Sequence, residues 1–490
     1  MTFNSYSFIF AFLPLVAIIY FIINKYFAAK WARLFLIISS LSFMSLWNIY
    51  FACVLISSVL FNYVAGLVLS NSVESSNSKH KKVLFLVAVT ANILFLVFFK
   101  YTIFFLGSIN SLFSTHLNML NIIIPLGISF YTFMQIAWIT DIYRHGGFRY
   151  DFVSYCLYVT FFPYVISGPI AYHKEIIPQL ESNKASKFNI ENLCRGLFIF
   201  AIGLFKKTAI ADTLAIIANG GFDASAALGF TEAWLTSLSF TMQLYFDFSG
   251  YTDMAIGLAL IFNIDIPANF DSPYKSLDIR EFWHRWHITL SRFMREYIYI
   301  PLGGNRSGET RTLINLLLTF LIGGLWHGAA WTFLFWGFLH GLALVVHRLW
   351  MKAGFHLNKV LAWIVTFNFV NIAWIFFRAK SWEDALNIIK GMAGLNGILI
   401  SPHQASNPFW QKLTVIGIKF GEWRAHLPNT ENFVYFLCIV LIPFVLLTKN
   451  SNQLLEKFSP NWRNALTIAI LMACGLLLLN QASVFLYFKF

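Results

Sequence analysis

An all-α, polytopic membrane protein is the fold class this chain predicts, and three observations carry that expectation. Hydrophobic residues make up 58% of the 490 and charged residues 12%, about half the roughly 25% charge content usual for soluble domains. Apolar runs long enough to cross a bilayer, about 20 residues at 1.5 Å each, recur along the chain. Lys and Arg gather in alternate connections: Lys25, Lys30 and Arg33 follow the first run and Lys79–Lys82 the third, whereas the turns around Asn48 and from Gly107 to Asn118 carry none. That alternation is the positive-inside pattern. It predicts an N-terminus outside and basic loops in the cytoplasm, so the net charge of +13 reads as a topology signal with no nucleic-acid partner implied. Strands of a barrel would alternate apolar and polar positions over ten-residue segments, and no such alternation is visible.

Taken in order, the candidate spans lie near residues 7–24, 33–47, 51–70, 83–106, 121–140, 152–170, 196–217, 230–247, 313–335, 337–350, 360–377, 433–448 and 464–485, which predicts about 11 to 13 membrane segments in one domain over 1–490. The first, "FIFAFLPLVAIIYFII", has no basic residue before it and no small-residue cleavage site after it, so it reads as a retained helix. Cys53, Cys156, Cys194, Cys438 and Cys474 are scattered without zinc or redox spacing and are expected to be small buried residues. No internal repeat is evident, which weighs against an inverted-repeat transporter.

Two polar regions interrupt the pattern. Residues 391–432 form a long loop rich in Gly, Asn and Pro. Residues 265–312 carry six arginines, and by the charge alternation they belong on the cytoplasmic side. Within them, a helix drawn at 100° per residue from Glu281 places Glu281, Arg285, Arg292, Arg295 and Glu296 on one face. Phe282, Trp286, Leu290, Phe293 and Tyr297 fall on the other, with Trp283 and Met294 beside them. Such a helix is expected to lie in the membrane interface. His284 and His287 fall on the border between the faces, and the helix is expected to end before "IPLGGNRSG".

The stretch "LIGGLWHGAAWTFLFWGFLHG", residues 321–341, holds His327 and His340 among apolar residues. A histidine on an apolar face is commonly a hydrogen-bonded packing residue. An ionisable group inside a membrane segment is, however, a functional candidate by default. Gly323, Gly324 and Gly328 let other backbones or a substrate approach His327, and Trp326 and Trp331 are candidates to line an apolar slot beside it. On one straight helix His340 would lie roughly 20 Å away on a different side. The run from Thr312 to Trp350 is too long for one crossing, so a break is expected, and one at Gly337 would bring the two histidines together. His287 is the more plausible partner. There is no HExxH and no carboxylate at a zinc interval, so no metal is expected. No G-x-S-x-G elbow occurs either. General-base catalysis by histidine remains, suited to acyl transfer from an activated donor to a hydroxyl.

The segments "EFWHRWHITLS", "YIYIPLGGNR" and "GGLWHGAAWTFLFWGFLHG", in this order, resemble the signatures of the membrane-bound O-acyltransferase (MBOAT) superfamily, and more narrowly its bacterial branch containing the alginate O-acetylation protein AlgI. "FNSYSFIFAFLPL", "FFPYVISGPI", "YFDFSGYTDMAIGLALIFNI" and the ending "FLYFKF" fit the same branch, so the likeness covers the whole chain. The resemblance implies a helical bundle with a central tunnel, with His327 as the catalytic histidine and His287 as the second family histidine. It further implies acetyl-CoA as the acyl donor, entering past arginines such as Arg285, with no tightly bound cofactor. The implied setting is the bacterial inner membrane, with a periplasmic or extracellular acetyl-transfer partner and a polysaccharide biosynthesis complex. The leading expectation is O-acetylation of a cell-surface or secreted, alginate-like polysaccharide; transfer to peptidoglycan, D-alanylation of teichoic acid, transport without chemistry and a purely assembly role are the competing readings. The lysine of "FLYFKF" departs from the neutral residue expected there.

Overall fold

A computed structural model of the chain describes residues 1–74, 78–224, 226–428, 432–481 and 485–486; all but the first two residues of "FLYFKF" lie outside them. A π-helical turn over Phe8–Phe12 leads into α1 (Leu13–Tyr26), followed by α2 (Ala29–Ser45), α3 (Ile49–Glu74), α4 (Ser78–Phe113), α5 (Ile128–His145), α6 (Phe152–Thr160), α7 (His173–Glu181), α8 (Ile190–Phe205), α9 (Asp212–Phe222) and α10 (Phe230–Ile261). The second half holds α11 (Ile279–Arg285), α12 (Ile288–Met294), α13 (Glu309–His327), α14 (Trp331–Lys352), α15 (Lys359–Arg378), α16 (Trp382–Met392), α17 (Pro408–Lys412), α18 (Asn432–Leu447), α19 (Ser451–Glu456) and α20 (Trp462–Leu477). Among the described residues, five helices are long and apolar enough to cross a membrane: Phe8–Tyr26, Ile49–Ser72, Lys79–Phe113, Trp331–Lys352 and Lys359–Arg378. The protein is an all-α, multi-pass membrane protein.

Several apolar runs serve the protein interior instead of spanning singly. The run at 152–170 forms only the nine-residue α6, roughly 13 Å long, and then a fully buried turn over 161–172. The run at 196–217 is divided between α8 and α9 by a π-helical turn, Lys206–Ala211. Apolar sequence marks removal from water, and a protein core achieves that as well as lipid does. α4 continues to Phe113, so the turn expected from Gly107 starts later. The 391–432 region contains a small parallel sheet, β1 (Ile398–Ile400) against β2 (Ile418–Phe420), with Leu399 opposite Lys419. The cysteines are free thiols. Cys156 and Cys438 are buried as expected, but Cys53 is exposed on α3.

α10 is the axis of the bundle, buried over nearly its whole length. At its start Glu232 accepts the Gly229 N–H at 2.9 Å, satisfying a donor that helix geometry leaves open. Two reciprocal glycine pairs, Gly196 with Gly257 and Gly203 with Gly250, bring α8 and α10 into backbone contact. A Cβ on Gly257 would lie 2.5 Å from the Gly196 carbonyl, and one on Gly203 would lie 2.5 Å from that of Gly250. This is small-residue packing of the kind membrane helices use where lipid offers no hydrophobic drive.

The buried apolar residues fall into two main clusters that meet along α10. Phe240 to Phe248 belong to one, together with α11, α14 and α15. Tyr251 to Phe262 belong to the other, with α1 to α7. The candidate site lies on that seam.

Candidate active site

α13 and α14 form an antiparallel hairpin. Gly324 and Gly337 face each other so closely that a Cβ on Gly324 would lie 2.4 Å from the Phe333 carbonyl, and one on Gly337 would lie 2.3 Å from that of Phe320. The break falls at Gly328–Ala330, nine residues before the alternative at Gly337. His327 is therefore the last residue of α13. Gly328 does make room, but for the Phe333 ring, 2.2 Å from where a Cβ would sit. That space is filled by protein and not by substrate.

The segment from Glu281 to Tyr297 is not one amphipathic helix. α11 stops at Arg285, Trp286 is extended, and His287 adopts a left-handed conformation at φ 43° before α12 begins. The cause lies in the two cores. Phe282, Trp283 and Trp286 pack into one cluster, and Leu290, Phe293 and Met294 into the other. A straight helix cannot enter both. The aromatic face thus meets protein, with Trp286 on Trp374 at 4.9 Å between ring centres, and not the membrane interface. Asp278 caps α11 through the Glu281 N–H at 2.8 Å. The strand of chain at 269–271 braces the break: the Asn269 carbonyl accepts from Ile288 N–H at 2.9 Å, and Asp271 N–H donates to the Arg285 carbonyl at 3.0 Å.

Asn269 also sets the state of His287. Its Oδ1 accepts the Thr289 N–H at 3.3 Å and the Thr289 hydroxyl at 2.6 Å. A main-chain N–H can only donate, so the amide must present oxygen here. His287 Nδ1, 3.2 Å from the same oxygen, therefore carries the proton. In the neutral ring Nε2 is then the basic nitrogen.

Three histidines share one aromatic cluster. His327, 5% exposed, has Trp326 at 4.9 Å, Trp336 at 5.0 Å and Phe377 at 5.2 Å, all edge to face. His287, fully buried, lies 6.4 Å from His327 between ring centres and 6.0 Å from Trp326. His340 is brought in as well, against the expectation from a straight helix, because the hairpin turns before it. Its ring is 4.8 Å from Trp336, and its Nδ1 accepts the Trp283 indole N–H at 3.2 Å.

A cavity of about 1110 Å³ ends at this cluster. One wall is a stripe of α13: Leu316, Thr319, Phe320, Gly323 and His327, spaced as one helix face. α14 contributes Trp336, Leu344, His347, Arg348 and Met351, and the segment from Arg280 to Ser307 supplies the opposite wall. From Leu316 to His327 the cavity follows roughly 16 Å of helix. Its open end carries Arg280, Arg292, Arg295, Arg306 and Arg348, and no Asp or Glu lines it among the described residues. Arg348 and Arg292 are held by bidentate pairs to Glu309 at 2.7 and 3.1 Å and to Glu175 at 2.6 and 3.0 Å. Arg280, Arg295 and Arg306 are exposed.

The structure thus groups His327, His287 and Trp326 but leaves two expected residues outside. Trp331 is 50% exposed and lies 5.5 Å from Phe104, away from the cavity, because it starts α14 on the outer side. Arg285 turns to Glu281 at 2.9 Å and to the Asp271 carbonyl at 3.1 Å and does not line the cavity. The cavity lining includes His284 and, unanticipated, Trp283, Trp336, Arg280, Arg306 and Arg348. These emerge only from the hairpin and the break at His287. Lys100 was equally missed, although it is the single charged residue between Val83 and Phe113, and the rule that singled out His327 applies to it.

Residues 141–381 match the family described as MBOAT, membrane-bound O-acyltransferase. A peptidoglycan O-acetyltransferase of Helicobacter pylori is 42% identical, aligned over 100% of this chain and 98% of its own length. The chain belongs to the membrane-bound O-acyltransferase family. A probable alginate O-acetylase AlgI of Pseudomonas aeruginosa is 36% identical over 94% of this chain and 84% of the relative. A teichoic acid D-alanyltransferase of Bacillus subtilis is 27% identical over 54% and 71%. The protein is a membrane-bound acyltransferase. The family match spans both cavity walls and the three histidines of this acyltransferase but not α4.

Proposed function

We propose that this chain O-acetylates a cell-envelope glycan, with peptidoglycan the favoured polymer, using acetyl-CoA from the cytoplasm. The observation that carries this reading is the placing of His327 at the far end of a cavity whose mouth is cationic and whose lining among the described residues lacks carboxylates. Arg280, Arg295 and Arg306 suit the phosphates of a nucleotide-bearing thioester. The volume exceeds the roughly 300–1,000 Å³ of common small-molecule sites. His327 takes the proton of the acceptor hydroxyl as its oxygen bonds to the acetyl carbon. The carbon–sulfur bond then breaks, and the coenzyme A thiolate leaves and receives the proton. His287, with Nε2 basic, assists from the neighbouring segment. No three His, Cys, Asp or Glu side chains converge as a metal site among the described residues.

The basic 265–312 segment would face the cytoplasm of a bacterial inner membrane, leaving the N-terminus outside. An extracytoplasmic partner protein would carry the acetyl group on to the polymer. Peptidoglycan is favoured by the 42% identity over the full chain. The 36% identity to the alginate protein supports a secreted, alginate-like polysaccharide as the second reading.

Mass spectrometry of both polymers, from cells with the protein, without it and with His327→Ala, tests this. Peptidoglycan acetate is expected to vanish without the protein, and to fall by about 10²- to 10⁴-fold in His327→Ala while the variant still reaches the membrane. Acetate lost only from the secreted polysaccharide selects the second reading. Unchanged acetate on both, or full acetylation by His327→Ala, overturns the proposal.

A further inference from the structure

The end of α13 has an unusual cap. An α-helix leaves its last four carbonyls without partners of its own, and a glycine turn commonly folds back to satisfy them. Here the chain leaves in extended form at Gly328, φ −162°, and returns only the Gly328 N–H to the Gly324 carbonyl at 3.4 Å. The next three carbonyls are met from another helix. Tyr101 of α4 donates its hydroxyl to the Leu325 carbonyl at 2.5 Å. Lys100 donates through Nζ to the carbonyls of Trp326 at 2.5 Å and His327 at 3.0 Å, and to Ser129 Oγ of α5 at 3.4 Å. The ammonium has three N–H groups and meets three acceptors. Lys100 is buried and makes no ion pair among the described residues, so its counter-charge is the negative end of α13 itself.

We infer that Lys100, with Tyr101, is a positioning residue for acyl transfer. By capping α13 in trans it holds the peptide of His327, and hence the imidazole, at the end of the cavity. A conventional cap would fold chain over the helix end beside His327; the cap supplied by α4 leaves the chain extended there. Lys100 does not line the cavity, so it acts through His327 and not on the donor. The inference rests on the reading of His327 as the residue at the chemical step.

The test uses the full-length chain in cells and purified in detergent. Acetylation per molecule of membrane-embedded protein is measured for wild type, Lys100→Met, Tyr101→Phe and His327→Ala, together with the stoichiometry and Kd of acetyl-CoA binding. Lys100→Met is expected to lose at least about tenfold in acetylation, and Tyr101→Phe less, while both bind acetyl-CoA at full stoichiometry with wild-type Kd. Wild-type acetylation in both variants overturns the inference. So does loss of binding in step with acetylation, which would make the contact a folding strut only. If Lys100→Met does not accumulate, Tyr101→Phe decides alone, its wild-type acetylation counting against the inference. An active His327→Ala, or a wild-type chain that does not bind acetyl-CoA, removes the functional reading and this inference with it.

Discussion

Buried lysines occur in two parts of this bundle, and they are neutralised in opposite ways. Between α8 and α10, buried Lys207 lies 2.7 Å from both Asp212 and Asp247, and the partly buried Lys206 beside it lies 2.7 Å from Asp253. Each cation there has a carboxylate of its own, and the surrounding helices close over it. At the end of α13, Lys100 is met by main-chain carbonyls, beside a cavity whose lining among the described residues has cations and no carboxylate. Buried ion pairs stabilise little beyond what their burial costs, but removing one partner leaves the other uncompensated and is strongly destabilising. A cation whose partner is the end of a helix instead ties its position to whatever that helix carries. With Lys100 inferred to position His327, the first region is a strut and the second a support for the chemistry.

That contrast can be broken by experiment. The largest separation is expected from Lys207→Met. It leaves two carboxylates facing each other in the interior, at a cost of about 3–5 kcal/mol. Thermal unfolding in detergent should show a marked loss of stability, whereas the molecules that remain folded should acetylate at the wild-type rate. A specific rate reduced as far as in His327→Ala would move this pair from the strut to the site.

Asn269→Ala should do the reverse. It removes the acceptor that fixes His287 Nδ1–H and exposes a left-handed backbone to relaxation, so acetylation is expected to drop roughly tenfold with acetyl-CoA affinity retained. Asn269→Asp, which keeps the acceptor oxygen, should recover most of that loss. Equal activity in all three proteins would show that His287 needs no fixed tautomer.

The smallest effect belongs to the cavity mouth. Arg306→Ala should weaken acetyl-CoA binding a few-fold, on the order of 1 kcal/mol for an exposed charged contact. The difference from wild type should shrink as salt rises. A salt-independent loss would mean that Arg306 shapes the loop instead of attracting the donor.

How far the site could be read in advance follows from what each signal measures. His327 stands out because a polar residue in apolar sequence is anomalous on its own, and His287 because the resemblance marks it as the second family histidine. Trp331 is suggested by proximity along the chain and Arg285 by the donor entry that the resemblance implies, and neither reaches the cavity once α14 starts on the outer side and α11 ends. The hidden variable is the seam between the two cores. It breaks the aromatic segment at His287 and the long apolar run at Gly328, and no periodicity reports it because each half remains correctly amphipathic.

By composition and run length alone, then, the chain determined its solvent, its helical class and the residue types available for acyl transfer. Burial in lipid demands helices whose backbone groups are satisfied internally, and that demand is local. Tertiary structure alone decided which arginines face the cavity, that His340 joins the cluster, and that a lysine 227 residues before His327 caps its helix. Those outcomes depend on helix ends and crossings, where unsatisfied carbonyls and close-packed glycines take whatever partner the three-dimensional arrangement supplies.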